Sequence, residues 1–201
     1  MYWKGNVVMA VEYTNRKGKK YYLNIGKTKT GKPRYYFSLK VREQLAEEIP
    51  ERFEIYEHPA NAQVFLRKKI PSVISEMEIK LLENELKKLA GPRLYMADAR
   101  GGEIVIYESN ENLEDLKDLF GSISPYRDTS RIENMIMSDM TYSPIMKFIL
   151  HDEKKRTFIV NRYCFRGSID DWINIGGPMH LKEASKIFLQ HLGKESFYDL
   201  V

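Results

Sequence analysis

The stretch YYLNIGKTKTGKPRYYFSL, residues 21–39, decides the fold of the first part of the chain. Its two arms are rich in residues typical of strands, and its centre is rich in turn residues. Gly31 favours a turn because glycine adopts a positive φ without steric cost, and Pro33 suits the start of the returning strand because it cannot donate to a ladder. The stretch therefore predicts a β-hairpin with an exposed, basic tip.

Two adjacent tyrosines lie in the returning arm of this hairpin. Side chains alternate between the faces of a strand, so Tyr35 and Tyr36 point to opposite faces. We expect one face to join a core, which places one of these tyrosines inward and the other outward.

The composition is that of a soluble globular protein. The chain has 201 residues, of which 43% are hydrophobic and 30% are charged. No apolar run approaches the roughly 20 residues of a membrane helix, and the first residues lack the pattern of a secretory signal, so we expect a cytoplasmic protein with no membrane partner. The single cysteine, Cys164, excludes an intrachain disulfide and a multi-cysteine metal site.

Charge is distributed unevenly along the chain, although the net charge is only +4. Residues 1–42 contain eleven Lys or Arg against one Glu, whereas residues 43–58 contain six Glu against one Arg. Basic side chains neutralise phosphates and tyrosines stack on unpaired bases, so the first part favours DNA or RNA as a partner. The candidate binding residues are Lys19, Lys20, Lys27, Lys29, Lys32, Arg34, Tyr35 and Tyr36. We therefore expect a binding or regulatory protein.

Other interpretations of the basic hairpin stay open. Aromatic residues are good strand formers, edge lysines discourage aggregation, and the acidic segment 43–58 is able to neutralise the basic one. The alternative is a protein-interaction or oligomerisation module, in which the hairpin meets an acidic protein or a second copy of the chain. An enzyme of unknown class is the third hypothesis.

The rest of the sequence predicts hairpins interleaved with single helices, which indicates an α+β fold with antiparallel sheet. A strand over residues 6–13 completes a basic three-stranded meander at the start of the chain. Further hairpins are expected within residues 53–67, 94–107 and 145–165. Residues 169–175 are ambiguous, and the run Gly176-Gly177-Pro178 is expected to break the chain after them.

Four helices and a shorter helical segment are also predicted. The helices span residues 76–90, 112–120, 130–140 and 181–192, and one or two helical turns are expected within residues 41–48. A boundary near Pro71 separates a basic, β-rich region, residues 1–70, from an α+β remainder, residues 71–201. One compact domain comprising both regions is also compatible with the sequence.

The clearest helix covers residues 76–90. Ser75 and Glu78 have the spacing of a capping box, and we expect Glu78 to lie on a solvated face. The apolar stripe of this helix is Met77, Leu81, Leu82, Leu86 and Leu89, and that of the last helix is Leu181, Ala184, Ile187, Phe188 and Leu192.

No motif in the sequence predicts a catalytic residue, a metal site or a cofactor. The run Gly26-Lys27-Thr28 matches only the end of a phosphate-binding loop, because Tyr21 stands where the first glycine is required. The four histidines lack the spacing of metal ligands, and Asp170 and Asp171 fit a solvated turn. We expect Cys164, in an apolar strand, to be buried and inert.

Several segments resemble an uncharacterised family of prokaryotic proteins. They are GKPRYYFS (31–38), EIYEHP (54–59) with AQVFLRK (62–68), and GSIDDWINIGGP (167–178). The resemblance covers most of the chain, implies no activity and assigns no catalytic residue. The first 40 residues or so also resemble, as an analogy of fold, the basic three-stranded modules of phage-type integrases, which place a sheet face in the major groove of DNA.

Overall fold

The computed structural model describes residues 10–42, 44–89, 94–112, 114–115, 118, 138–166 and 169–200. The chain divides into two compact units, Met1–Lys69 and Ile70–Val201. Strands pair antiparallel in both units and the second unit also contains α-helices, which confirms the α+β class with antiparallel hairpins. Within the described part of the chain, no helix has the length and apolar character needed to cross a membrane.

The first unit is organised around the second of its strands. The strands β1 (Glu12–Thr14), β2 (Lys20–Lys27) and β3 (Pro33–Ser38) form the expected meander. Gly31 has a φ of 79° in the turn between β2 and β3, as its sequence context predicts. Residues 10 and 11 of the predicted first strand are not part of β1, and residues 6–9 of the prediction lie outside the described residues.

The helical turns predicted within residues 41–48 are wrong for the described residues of that segment. Strand β4 (Gln44–Leu45) instead pairs antiparallel with β2 at Asn24 and Ile25. Strand β4 lies on the same edge of β2 as β1 and continues that edge beyond the end of β1. The Ala46 N–H, next to β4, donates to the Leu23 carbonyl at 2.8 Å. Hydrogen bonds to an existing strand stabilise this segment, whereas a one-turn helix would be too short to offset the cost of nucleation.

A short connection, residues 39–42 and here called the strap, joins β3 to β4 on opposite edges of β2. Asn24 fixes it in place. The side-chain amide of Asn24 donates to the Lys40 carbonyl at 3.4 Å, and its oxygen accepts from the Arg42 N–H at 2.8 Å. Asn24 is fully buried, so the strap covers the face of β2 from which this side chain projects.

The first unit also contains a second hairpin, formed by β5 (Phe53–Glu57) and β6 (Val64–Lys68). Ile55 pairs with Leu66 and Val64 is buried, as the alternation of apolar residues predicts. The turn of this hairpin is tied to the turn after β1, because the Asn15 amide donates to the Ala62 carbonyl at 2.7 Å.

The second unit is built on a five-stranded antiparallel sheet in which each strand pairs with the next along the chain. Its strands are β7 (Tyr95–Arg100), β8 (Glu103–Ser109), β9 (Tyr142–Asp152), β10 (Thr157–Arg166) and β11 (Ile169–His180). Helix α1 (Glu76–Lys87) precedes the sheet and α2 (Leu181–Phe188) follows it. Both helices pack on one face, where the core contains Leu82, Leu86, Ile104, Ile106, Met146, Phe148, Phe158, Val160, Ala184 and Phe188.

The predicted capping box of α1 is present, and Leu82 and Leu86 are buried. The prediction is wrong for one residue of each helical stripe, since Met77 is 80% exposed and Ile187 is 39% exposed. At 3.6 residues per turn, Met77 lies about 140° around the axis from Leu82, and Ile187 lies about 100° from Phe188. Each stripe is therefore narrower than the apolar pattern of the sequence suggests.

The run Gly176-Gly177-Pro178 does not end a strand, contrary to the prediction, because β11 continues to His180. Phe158 pairs with Met179, Val160 with Gly176 and Asn161 with Asn174, so β11 contains two extra residues and bulges opposite β10 on both sides of Gly176. Gly177 has a φ of 116°, and a Cβ there would lie 2.6 Å from the Phe158 carbonyl oxygen. These glycines thus permit a bulge and a close approach rather than a chain reversal.

The two helices predicted between β8 and β9 fall mainly outside the described residues. Residues 114, 115, 118, 138 and 139 are helical, and Met140, which follows them, is buried. The last described residues dock on the second unit: Phe197 is buried, and Arg162 donates to the carbonyls of Tyr198 and Leu200 at 3.0 and 2.8 Å.

Candidate nucleic-acid interface

The end of the hairpin formed by β2 and β3 carries four of the predicted binding residues, Lys27, Lys29, Lys32 and Arg34, which together we name the cationic tip. All four side chains are exposed. The turn is closed by its own hydrogen bonds: the Thr28 N–H donates to the Lys32 carbonyl at 2.8 Å, and the Lys32 N–H donates to the Thr28 hydroxyl oxygen at 3.1 Å. The charges are therefore presented on an ordered backbone.

Three other cations of the first unit are held by carboxylates. Arg16 contacts Glu57 at 3.0 Å, Lys20 contacts Glu12 at 2.5 Å and Arg67 contacts Glu54 at 2.6 Å. The members of the cationic tip form no ion pair with any residue that the structure describes. The tip cations share this lack of a described carboxylate partner with other exposed cations of the unit, namely Lys19, Lys40, Arg42, Arg52, Lys68 and Lys69.

The acidic segment 43–58 contributes two of these partners, Glu54 and Glu57. Both pair with arginines away from the tip, and the exposed Glu47, Glu48 and Glu51 make no ion pair with described residues. Neutralisation of the basic turn by this segment, which the sequence left open, is therefore not observed among the described contacts.

Two of the predicted binding residues lie outside the tip: Lys19 ends the turn between β1 and β2, and Lys20 is the first residue of β2. Lys19 is exposed. Lys20 is bound to Glu12, whose hydrogen bond and charge raise the pKa of the lysine ammonium above its ordinary value. Lys20 is therefore a partly neutralised cation rather than an available one.

Tyr35 and Tyr36 lie on opposite faces of β3, opposite Ile25 and Asn24 respectively. Alternation thus places them on opposite faces as predicted, but both tyrosines are half-buried, and neither is wholly inward or wholly outward. The guanidinium of Arg34 lies 5.7 Å from the centre of the Tyr36 ring, an arrangement typical of a cation–π contact. The two rings therefore do not form a continuous platform for stacking.

The other candidate residues, Cys164, Asp170 and Asp171, do not form a catalytic or metal site with described residues. Among the described residues, no three His, Cys, Asp or Glu side chains converge as metal ligands do. Cys164 is half-buried rather than buried as predicted. Asp170 accepts a hydrogen bond from the Tyr163 hydroxyl, and an Asp171 oxygen accepts from the Trp172 N–H at 2.7 Å.

Glu78 does not lie on a solvated face, contrary to the prediction. It accepts hydrogen bonds from the Ser75 N–H at 2.8 Å and from the Arg156 Nε at 3.0 Å. Burial alone would raise the pKa of this carboxyl, but the donors from Arg156 and Ser75 outweigh it, so the pKa of Glu78 is lowered. The carboxylate joins the start of α1 to the turn between β9 and β10.

A cluster that the sequence analysis missed lies on the second unit's sheet, on the face opposite the helices. Lys147 Nζ is 4.9 Å from the centre of the Trp172 ring and 3.7 Å from a Glu103 oxygen. Tyr163 contacts Trp172 edge to face, with centroids 5.2 Å apart. The alternation of side chains along the strands could have predicted this cluster. Asn161 and Tyr163 lie on the same face of β10, and Lys147 of β9 pairs with Asn161 on that face.

Comparisons with known proteins return no match for this chain: no family model fits the sequence, and neither a curated protein nor a solved structure is similar to it. The resemblances drawn from the sequence therefore add no residue to the site.

Proposed function

We propose that the first unit binds nucleic acid through the cationic tip. The observation that carries the proposal is the grouping of four exposed cations at one end of an ordered hairpin, where none of them makes an ion pair with a described residue. Each Lys or Arg that touches a phosphate releases a condensed counterion, which favours binding at low salt.

The kinds of side chain at the tip determine what this binding recognises. Three of the four cations are lysines, which act as compact point charges, and Arg34 alone offers a planar fork of donors. Contacts to phosphate position a protein on nucleic acid without reading its sequence. The proposed activity is therefore binding with little sequence preference, as suits an accessory or regulatory protein.

The test is a salt series with a variant that neutralises the tip. Replacing Lys27, Lys29, Lys32 and Arg34 by Gln should weaken binding to all sequences alike. It should also flatten the plot of log affinity against log salt, by about 0.9 for each duplex contact that is lost. A matched control replaces the exposed Lys154, Lys155, Lys186 and Lys194 of the second unit by Gln, which changes the net charge equally.

Two outcomes would contradict the proposal. The first is the absence of binding by the wild-type chain at about 50 mM salt, where the electrostatic term is strong. The second is an equal loss of affinity in the tip variant and the control variant. Binding to polyglutamate but not to nucleic acid would instead favour the interaction module with an acidic protein partner.

A further inference from the structure

The cationic tip lies at the end of a ribbon of only two strands. On the free edge of β2, pairing with β1 ends at Tyr22 and pairing with β4 ends at Ile25. Gly26 and Lys27 pair with Arg34 and Pro33 of β3, and no other described strand is hydrogen-bonded to these residues. The end of the hairpin, which comprises the pairs Gly26–Arg34 and Lys27–Pro33 and the turn, therefore projects beyond the rest of the sheet.

Positive charge is present on both faces of this ribbon. Lys27 shares a face with Ile25 and Tyr35, while Arg34, paired with Gly26, lies on the face of Asn24 and Tyr36. Lys29 and Lys32 lie in the turn between them. A ligand that lies flat on one face would meet only part of this charge, whereas a groove with two phosphate walls would meet all of it.

The faces of the first unit's sheet are poorly suited to bind nucleic acid. On one face the strap covers Asn24, and on the other Leu23 is fully buried. Unpaired bases bind to aromatic side chains that form a stacking platform, and Tyr35 and Tyr36 are half-buried on opposite faces. Insertion of the tip is the mode that engages all four cations.

The dimensions of nucleic acids restrict which groove accepts the ribbon. Paired strands lie about 4.8 Å apart, and the major groove of B-form DNA, about 12 Å wide, admits a two-stranded β-ribbon. The minor groove of B-form DNA is about 6 Å wide, and the major groove of A-form RNA is deep and narrow. Neither of these is wide enough for the hairpin with its side chains.

We infer that the ligand of the cationic tip is B-form duplex DNA and that the tip enters the major groove. Lys27 and Arg34 then face opposite phosphate walls, and the two turn lysines lie deepest. This inference rests on the proposed function, since it names the class of nucleic acid and the groove that the tip occupies.

The experiment compares binding of the full chain to one sequence in three forms: duplex DNA, duplex RNA and single-stranded DNA. We expect duplex DNA to bind more tightly than the other two by about tenfold or more, because the duplex has twice the charge density of the single strand and the RNA groove excludes the ribbon. Methyl green, a cation that occupies the major groove, should displace the protein. Netropsin, a cation that occupies the minor groove, should not.

The outcomes separate this inference from the function on which it rests. No binding to any of the three nucleic acids overturns the proposed function. Binding to single strands or duplex RNA as tight as to duplex DNA leaves nucleic-acid binding intact and overturns the inference, as does displacement by netropsin but not by methyl green. Circular dichroism of the protein in each mixture verifies that neither dye acts by unfolding it.

Discussion

The side-chain oxygen of Asn24 accepts a hydrogen bond from the backbone N–H of Arg42 at 2.8 Å, and this bond holds the strap across β2. Because Asn24 is fully buried, its replacement by Leu would leave the Arg42 N–H and the Lys40 carbonyl without their partner. We expect Asn24→Leu to reduce the free energy of unfolding of the first unit by about 2–3 kcal/mol. Hydrogen exchange of the β2 amides measures this loss.

The control for that experiment is Asn61→Ala. Asn61 is exposed in the same unit, and its side chain accepts only from the Gln63 N–H among the described contacts. A loss below about 0.5 kcal/mol is expected there. Equal losses in the two variants would show that the strap does not depend on Asn24.

The pair formed by Glu78 and Arg156 predicts a dependence of stability on pH. Because the folded pKa of Glu78 lies below the unfolded value of about 4.3, its contribution is complete well above that pH and is lost as the pH falls through the folded pKa. Glu78→Gln removes the charge but keeps an oxygen for the Ser75 N–H. We expect it to reduce stability by about 1 kcal/mol at pH 7 and by much less near pH 3, as measured by urea unfolding.

Glu76→Gln is the matched control for this prediction, because Glu76 lies in the same helical turn but its side chain is 90% exposed and 3.9 Å from Lys80. Its effect should be close to zero at both pH values. A Glu78→Gln effect that does not change between pH 7 and pH 3 would contradict an electrostatic role for the pair.

The bulge in β11 gives a third prediction. A Cβ at Gly176 would lie 2.3 Å from the Phe188 ring, whereas one at Gly177 would lie 2.6 Å from the Phe158 carbonyl oxygen. We expect Gly176→Ala to cost about 1–3 kcal/mol and Gly177→Ala, which adds strain at positive φ, about 2–4 kcal/mol. Urea unfolding of the second unit measures both losses.

An added Cβ would clash with a side chain at Gly176 but with backbone atoms at Gly177. A second substitution, at Phe188, tests this difference. Phe188→Leu shortens the side chain that meets position 176, so it should offset part of the Gly176→Ala loss. It should leave the Gly177→Ala loss unchanged, because backbone atoms cause that clash. An equal offset for both would mean that Phe188 does not limit the space at Gly176.

Local patterns in the sequence predict those elements whose stability depends on neighbours along the chain. The hairpin turn at Gly31 and the capping box at Ser75 and Glu78 are of this kind, and both are present. Strand β4 and the continuation of β11 depend instead on partners far along the chain: β4 on Asn24, and the bulge on Phe158. No local propensity contains that information.

The same division applies to the candidate site. Exposure of Lys29 and Lys32 follows from their place in a turn, which the sequence predicts. The pairing of Lys20 with Glu12 depends on the register of β1 on β2, and the pairing of Arg16 with Glu57 depends on how the second hairpin packs. Charge counts along the sequence therefore overstate the cations that remain available.

Single substitutions should distinguish the tip cations from a paired one. Lys27→Gln, Lys32→Gln and Arg34→Gln each remove an exposed charge, so each should flatten the salt dependence on duplex DNA by about 0.9 if its side chain contacts a phosphate. Lys20→Gln removes a charge that Glu12 already binds at 2.5 Å, so the slope should change little. Each substitution changes the net charge by the same amount, so a difference in slope reflects position rather than overall charge.

Fluorescence anisotropy of a labelled duplex between about 50 and 200 mM salt measures the slopes. If Lys20→Gln lowers the slope as much as Lys27→Gln does, the bound surface extends over the β1–β2 turn and is not confined to the cationic tip.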